Sequence, residues 1–155
     1  MKKLVPFAVA VLVAYFLSEQ SERESQSGIS SSPASAAAQQ EQRRLSGDEL
    51  ARAFEKRLTS HQVQGEGTVE RVLSDDNEGS RHQRFVLRVS PGQTVMVAHN
   101  IDLAPRISGL RNGDRVAFYG EYEWNERGGV IHWTHHDPNG SHVGGWLEHN
   151  GRRYE

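Results

Sequence analysis

From Val63 to about His135 the apolar residues recur at every second position, and the runs are cut by Asp75-Asp76-Asn77-Glu78-Gly79, Pro91-Gly92 and Arg127-Gly128-Gly129. Alternation of this kind, punctuated by turn residues, is the pattern of short strands with one face buried. The spacing predicts strands over 63–73, 83–90, 94–99, 114–124 and 129–135. The longest interval, Asn100 to Gly113, carries Leu103, Ile107 and Leu110 at helical spacing, which suits a short helix plugging a barrel end. Three strands, a plug and two more strands is the order of a small five-stranded OB-like barrel, a mainly β fold. An open sheet or sandwich would leave edges that a chain this short has little means to cover.

The period of two also assigns faces. Phe85, Leu87 and Val89 share one side of the second strand, and Val116, Phe118, Tyr122 and Trp124 share one side of the fourth. On the fifth, Ile131, Trp133 and His135 are expected inward, with His132, Thr134 and His136 outward.

Ahead of the barrel, Ser46-Gly47-Asp48-Glu49 reads as a capping box, with Leu45 and Leu50 placed for a hydrophobic staple. Leu50, Phe54 and Leu58 then make one apolar stripe on an amphipathic helix over 46–59. At the other end, Asn150-Gly151 between Trp146-Leu147 and Tyr154 predicts a C-terminal hairpin whose aromatic rings cap the barrel or offer a stacking platform.

The front of the chain reads as an address. Met1-Lys2-Lys3 precedes fourteen residues without a charge, Leu4 to Leu17. That is the pattern of a signal peptide or a short membrane anchor, over 1–18. Residues 19–44 are rich in Ser, Gln, Glu and Ala and read as a disordered linker, which leaves 45–155 as a single domain. The domain is expected in the periplasm, secreted or tethered to the inner membrane by its N-terminal segment, its one contact with lipid.

There are no cysteines, so disulfides, thiolate nucleophiles and thiolate zinc sites are excluded. After Ser60 the chain has ten basic against thirteen acidic residues, a balance that disfavours non-specific nucleic-acid binding.

Two polar constellations remain. Arg81, His82, Arg84, His99 and Asp102 fall at one end of the hairpin made by the second and third strands. They are a candidate ligand-binding rim for an anion or oligomer, or else a salt-bridged rim that holds the plug. The histidine-rich motif Ile131-His132-Trp133-Thr134-His135-His136-Asp137-Pro138, with His142 downstream, is the other. His132, His136, Asp137 and His142 are candidate ligands for a divalent metal such as zinc, while Asp137 before a proline also fits a structural turn. A His-Asn-His nuclease shares these residue types but needs a helix where Val143-Gly144-Gly145 stands.

The segments "GSRHQRFVLRV", "VAHNIDLAPRI" and "RGGVIHWTHHDPNGSHVGGWLEHNGRRY" resemble a family of small secreted bacterial proteins, domain of unknown function 3465, over His61 to Tyr154. The resemblance implies domain extent and export and brings no reaction with it. The leading expectation is an exported, non-enzymatic OB-like binding protein with a ligand or protein partner outside the cytoplasm. Its rival is a metal-binding protein or metal-dependent hydrolase built on the histidine-rich segment.

Overall fold

Twelve residues of continuous strand, β1 (His61–Val72), make the barrel possible because β1 pairs with two neighbours along one length. Its first part runs antiparallel to β4 (Arg115–Glu123), from His61 opposite Tyr122 to Thr68 opposite Arg115. Its last part, from Thr68 opposite Arg88, pairs with β2 (His82–Ser90), with a register shift between Val69 and Arg71. A bulge there raises the local twist and helps curl the strand along β2. Gly65 sits where a Cβ would stand 2.7 Å from the Phe118 ring and 3.0 Å from Ser46 Cβ, so only glycine lets the wall close this tightly.

The computed structural model describes residues 33–155. The barrel belongs to the compact unit Ala38–Glu155. The expected signal or anchor over 1–18 and most of the expected linker lie outside the described residues. Among the described residues no helix is long and apolar enough to cross a membrane.

β2 continues antiparallel into β3 (Gln93–Asn100) through the Pro91-Gly92 turn. β5 (Val130–His132) runs parallel to β3 and antiparallel to β4, and the β1–β4 pairing closes the ring in the order β1-β2-β3-β5-β4. This is the closed five-stranded barrel expected from the strand order. β6 (Trp146–His149) and β7 (Arg152–Tyr154) form the C-terminal hairpin and extend the sheet from β4. Tyr154 is buried in the core, while Trp146 lies partly exposed under the Arg153 guanidinium, 4.3 Å from its ring centre.

The core holds Phe85, Leu87, Val89, Val116, Phe118, Tyr122 and Ile131 as the alternation predicted. Trp124 is partly buried against it.

The helix differs from its expectation at both ends. α1 spans Pro33–Glu55, thirteen residues further toward the N-terminus than the capping box indicated. Proline is at home in the first turn, and the Ala and Gln that follow are good helix formers, so 33–44 is helical despite its polar composition. Ser46 and Gly47 are buried within the helix rather than capping it, and a Cβ on Gly47 would stand 3.1 Å from Ser90 Cβ. They are small because the helix crosses the barrel there. Leu45 is half exposed and staples nothing; Leu50 and Ala53 are the buried contacts. The helix stops at Glu55 because Arg57 takes a φ of 52°, with Arg57 N–H donating to Phe54 O and Leu58 N–H to Ala53 O. That pair of bonds is a Schellman motif.

The segment between β3 and β4 is a series of turns, not the predicted helix, yet it plugs the barrel as expected: Ala104, Ile107 and Leu110 are buried. Gln83, wholly buried on β2, takes the place of helical hydrogen bonds. Its amide donates to Ile107 O at 3.0 Å and its carbonyl accepts from Ile107 N–H at 2.8 Å.

Candidate functional site

The outward residues of β2, β3 and β5 line a groove that crosses the barrel wall. At one end stand Arg71, Leu73, Val86, Thr94 and Arg127; the middle is made by Arg84, Met96, Ala98 and Val130, with the carboxylates of Asp76 and Glu123 at its sides; Leu103 and Trp133 flank the far end. His82, Ala98 and His132 are common to the middle and far stretches, and Met96 to the first two, so the three depressions adjoin along the wall. The groove has an aliphatic patch because the adjacent strands β2 and β3 bring Val86 opposite Met96, with Arg84 opposite Ala98 beside it.

The five rim candidates separate. His82 and Arg84 line the groove, with Arg84 Nε donating to Ser74 O at 3.1 Å and its guanidinium 3.7 Å from Asp76. Arg81 and Asp102 form a latch instead: the Arg81 backbone N–H and Nε each donate to the Asp102 carboxylate at 2.7 Å. Those bonds hold the Asp102 carboxyl below its usual range. His99 belongs to the core, fully buried between Thr134 Oγ1 at 2.8 Å and Pro105 O at 3.2 Å.

The histidine-rich segment departs from a simple period of two because Trp133 has a φ of 51° and ends β5 at His132. The reversal carries Trp133 out of the expected core face and turns Thr134, expected outward, fully inward; His135 is buried as expected, its Nδ1–H donating to His136 O. His136 is exposed.

Asp137 organises the following loop. Its carboxylate accepts from the backbone N–H of Asn139, Ser141 and His142 at 3.0, 2.6 and 2.7 Å, and from the Ser141 hydroxyl. Those amide bonds, Asn139 and His142 foremost, hold its pKa down to about 2. The loop delivers His142 to the barrel wall, where its ring stacks on Trp133 with centroids 3.9 Å apart and planes within 10°. Asp137→Ala should therefore release His142 while the barrel stays folded. The check is the loss of the upfield ring-current shift of the His142 ring protons in NMR spectra, with Asp137→Asn retaining part of it.

His132 and His142 do come together, as the metal reading required, but their companions are carboxylates that sequence reasoning missed. Glu121 lies directly opposite His132 in the β4–β5 pairing. His142 Nε2 is 2.8 Å from Glu121 Oε2, and His132 Nε2 is 3.4 Å from Glu121 Oε1 and 3.9 Å from Glu123 Oε1. Burial lowers the His132 pKa, with the two glutamates opposing in part. His142 also loses hydration, but its bonds to Glu121 and Val143 O leave its pKa raised. Asp137 and His136 bring no ligand atom to this group: the carboxylate of one is engaged by its own loop, which positions His142, and the other faces solvent. The signal for the glutamates was present in the alternation Glu121-Tyr122-Glu123, which puts both acids outside when Tyr122 is inside.

His149, another imidazole of the C-terminal region, is buried with Nε2 3.0 Å from Asp114 Oδ2 and ties the hairpin to the turn ahead of β4.

No curated protein matches the sequence. A family described as "Protein of unknown function (DUF3465)" matches residues 33–155, from the first residue of α1 through the barrel and its terminal hairpin, and the chain belongs to that family.

Proposed function

We propose that this chain is a non-enzymatic binding protein acting outside the cytoplasm, which takes an extended, acidic polypeptide segment along the outer face of β2, β3 and β5. The observation that carries this reading is the row of adjoining depressions, with aliphatic side chains along it and two arginines, Arg71 and Arg127, at one end. Arg71 and Arg127 make no side-chain ion pair among the described residues, so their charge is available to a partner. A long open groove suits contact along a chain rather than enclosure of a reacting group. The strand 2–3 face is also where barrels of this order commonly bind, a likeness of fold only.

The floor favours polypeptide over sugar or base. Val86, Met96, Ala98 and Val130 offer pockets for aliphatic side chains, whereas stacking needs aromatic rings, and Trp133 stands only at the far end. The acidic balance of the domain argues against nucleic acid. Export rests on the basic start and apolar run of residues 1–18.

The test uses the full-length chain and a fluorescein-labelled decapeptide of alternating Glu and Val, followed by anisotropy at low and moderate salt. Binding should weaken as salt rises, and the double variant Arg71→Glu, Arg127→Glu should lose about tenfold or more in affinity, since each removed charge contact is worth on the order of 1 kcal/mol. Equal binding by the variant removes the groove from the function. Equal affinity for an acidic oligosaccharide of the same charge removes the polypeptide as its ligand.

A further inference from the structure

Glu121, Glu123 and His132 each bring a donor atom within 4.8 Å of the other two. In a tetrahedral zinc site with bonds of about 2.0–2.1 Å, neighbouring donors stand about 3.3 Å apart. The separations of 3.4 and 3.9 Å from His132 Nε2 to the two carboxylates are already close to that spacing.

Hydrogen bonding explains the arrangement only in part. His132 Nε2 is shielded from solvent and aimed between two carboxylates, with Glu121 Oε1 at 3.4 Å too long and too poorly aligned for a good hydrogen bond. A buried ring nitrogen in that position is costly unless something else satisfies it. No Arg or Lys pairs with Glu121 or Glu123 among the described residues; their nearby counter-groups are imidazoles, with Ser60 also donating to Glu123.

His142 adds a second, independent indication. Its Nδ1 is 2.8 Å from Val143 O and its Nε2 is 2.8 Å from Glu121 Oε2; both oxygens only accept, so both nitrogens carry hydrogen in the metal-free chain, and Nε2 is the one directed at the cluster. Metal-binding imidazoles are commonly oriented in this way, with the far N–H held by a backbone carbonyl. The ring is further fixed by its stack on Trp133.

We propose that Glu121, Glu123 and His132 hold a divalent cation of the zinc class, with His142 Nε2 releasing its proton to solvent and moving from Glu121 to the ion as the fourth donor. Two carboxylates balance the ion's charge, and a donor set of two nitrogens and two oxygens suits zinc, nickel or copper better than calcium or magnesium, which take mainly oxygen ligands. The site forms part of the groove wall through Glu123 and His132 but does not depend on what fills the groove.

The experiment titrates the untagged, chelator-treated full-length chain in detergent with Zn²⁺ alone, by calorimetry and by thermal melting. One ion per chain should bind, and the melting temperature should rise with metal, since ligation of the native state stabilises it. Glu121→Gln, Glu123→Gln and His132→Ala should each weaken binding at least tenfold, with His142→Ala also weakening it and His136→Ala leaving it unchanged. Co²⁺ in place of zinc should give the intense visible absorption of a four-coordinate site, absent in His132→Ala. Melting without metal keeps the result independent of folding: any one of the three ligand variants that melts like the parent suffices. Absence of saturable binding at millimolar Zn²⁺ overturns the proposal. So does binding that survives in His132→Ala but fails in His136→Ala, or Mg²⁺ displacing Zn²⁺ at equal concentration.

Discussion

Gln83→Leu should lower the melting temperature of the domain by about 12 °C, the cost of leaving the plug's backbone unbonded inside the barrel. Gln83 and Ile107 are both fully buried, and the glutamine amide satisfies both backbone groups of Ile107. Leucine has nearly the same volume, so no large cavity opens, but an N–H and a C=O lose their partners where water does not reach. Each such orphan costs about 1–3 kcal/mol, offset in part by no longer burying the glutamine amide, for a net of about 3 kcal/mol. For a domain of this size that is about 4 °C per kcal/mol. Gln62→Leu is the matched control. The Gln62 side-chain nitrogen is buried without a hydrogen-bond partner, so replacing it should leave stability unchanged or raise it. Urea or thermal melts of the two variants decide the matter; equal effects would mean that hydrogen bonding by Gln83 is not what holds the plug.

That example shows why part of the fold was readable from residue pattern and part was not. Alternation and turn residues located all five barrel strands, since the same pleat that buries Phe85, Leu87 and Ile131 imposes their spacing. The interval before β4 was recognisable as a plug from its apolar residues, but its conformation depends on Gln83, twenty-four positions away from Ile107, and no local pattern carries that bond. Likewise Ser46 and Gly47 look like a cap because small polar residues serve caps well. Here they are small because β1 and β2 lie against them, which is a tertiary reason.

The candidate site follows the same division. His132 and His142 were recognisable as ligand types, but the period-two argument assumed an extended backbone through His136, and the left-handed Trp133 breaks that assumption. Glu121 and Glu123 reach His132 only through the register of the β4–β5 hairpin. In the rim cluster, charge and hydrogen-bonding capacity were legible while burial was not: Arg81 and Asp102 latch at the surface, and His99 is enclosed.

The enclosure of His99 gives the domain an acid-sensitive element. Pro105 O only accepts, so Nε2 carries the hydrogen, and the Nδ1 lone pair accepts from the Thr134 hydroxyl. Both bonds are satisfied by the neutral ring. Burial pushes the His99 pKa down to about 4, outweighing the opposing bonds to Pro105 and Thr134. The unfolded chain therefore takes up the proton first as pH falls. The stability associated with neutral His99 is complete above about pH 6.5 and is lost between there and about pH 4. A shift of this size corresponds to about 3 kcal/mol. His132, also lowered, acts in the same sense; His142, raised, acts in the opposite sense; Asp137 adds its loss only below the ordinary carboxylate range. His99→Gln isolates the effect. Glutamine can still donate to Pro105 O but cannot titrate, so the variant should start less stable at pH 7.5 and fall less steeply, its urea-derived stability converging on that of the parent by about pH 4.5. Parallel slopes for the two chains would show that His99 is not the group that titrates.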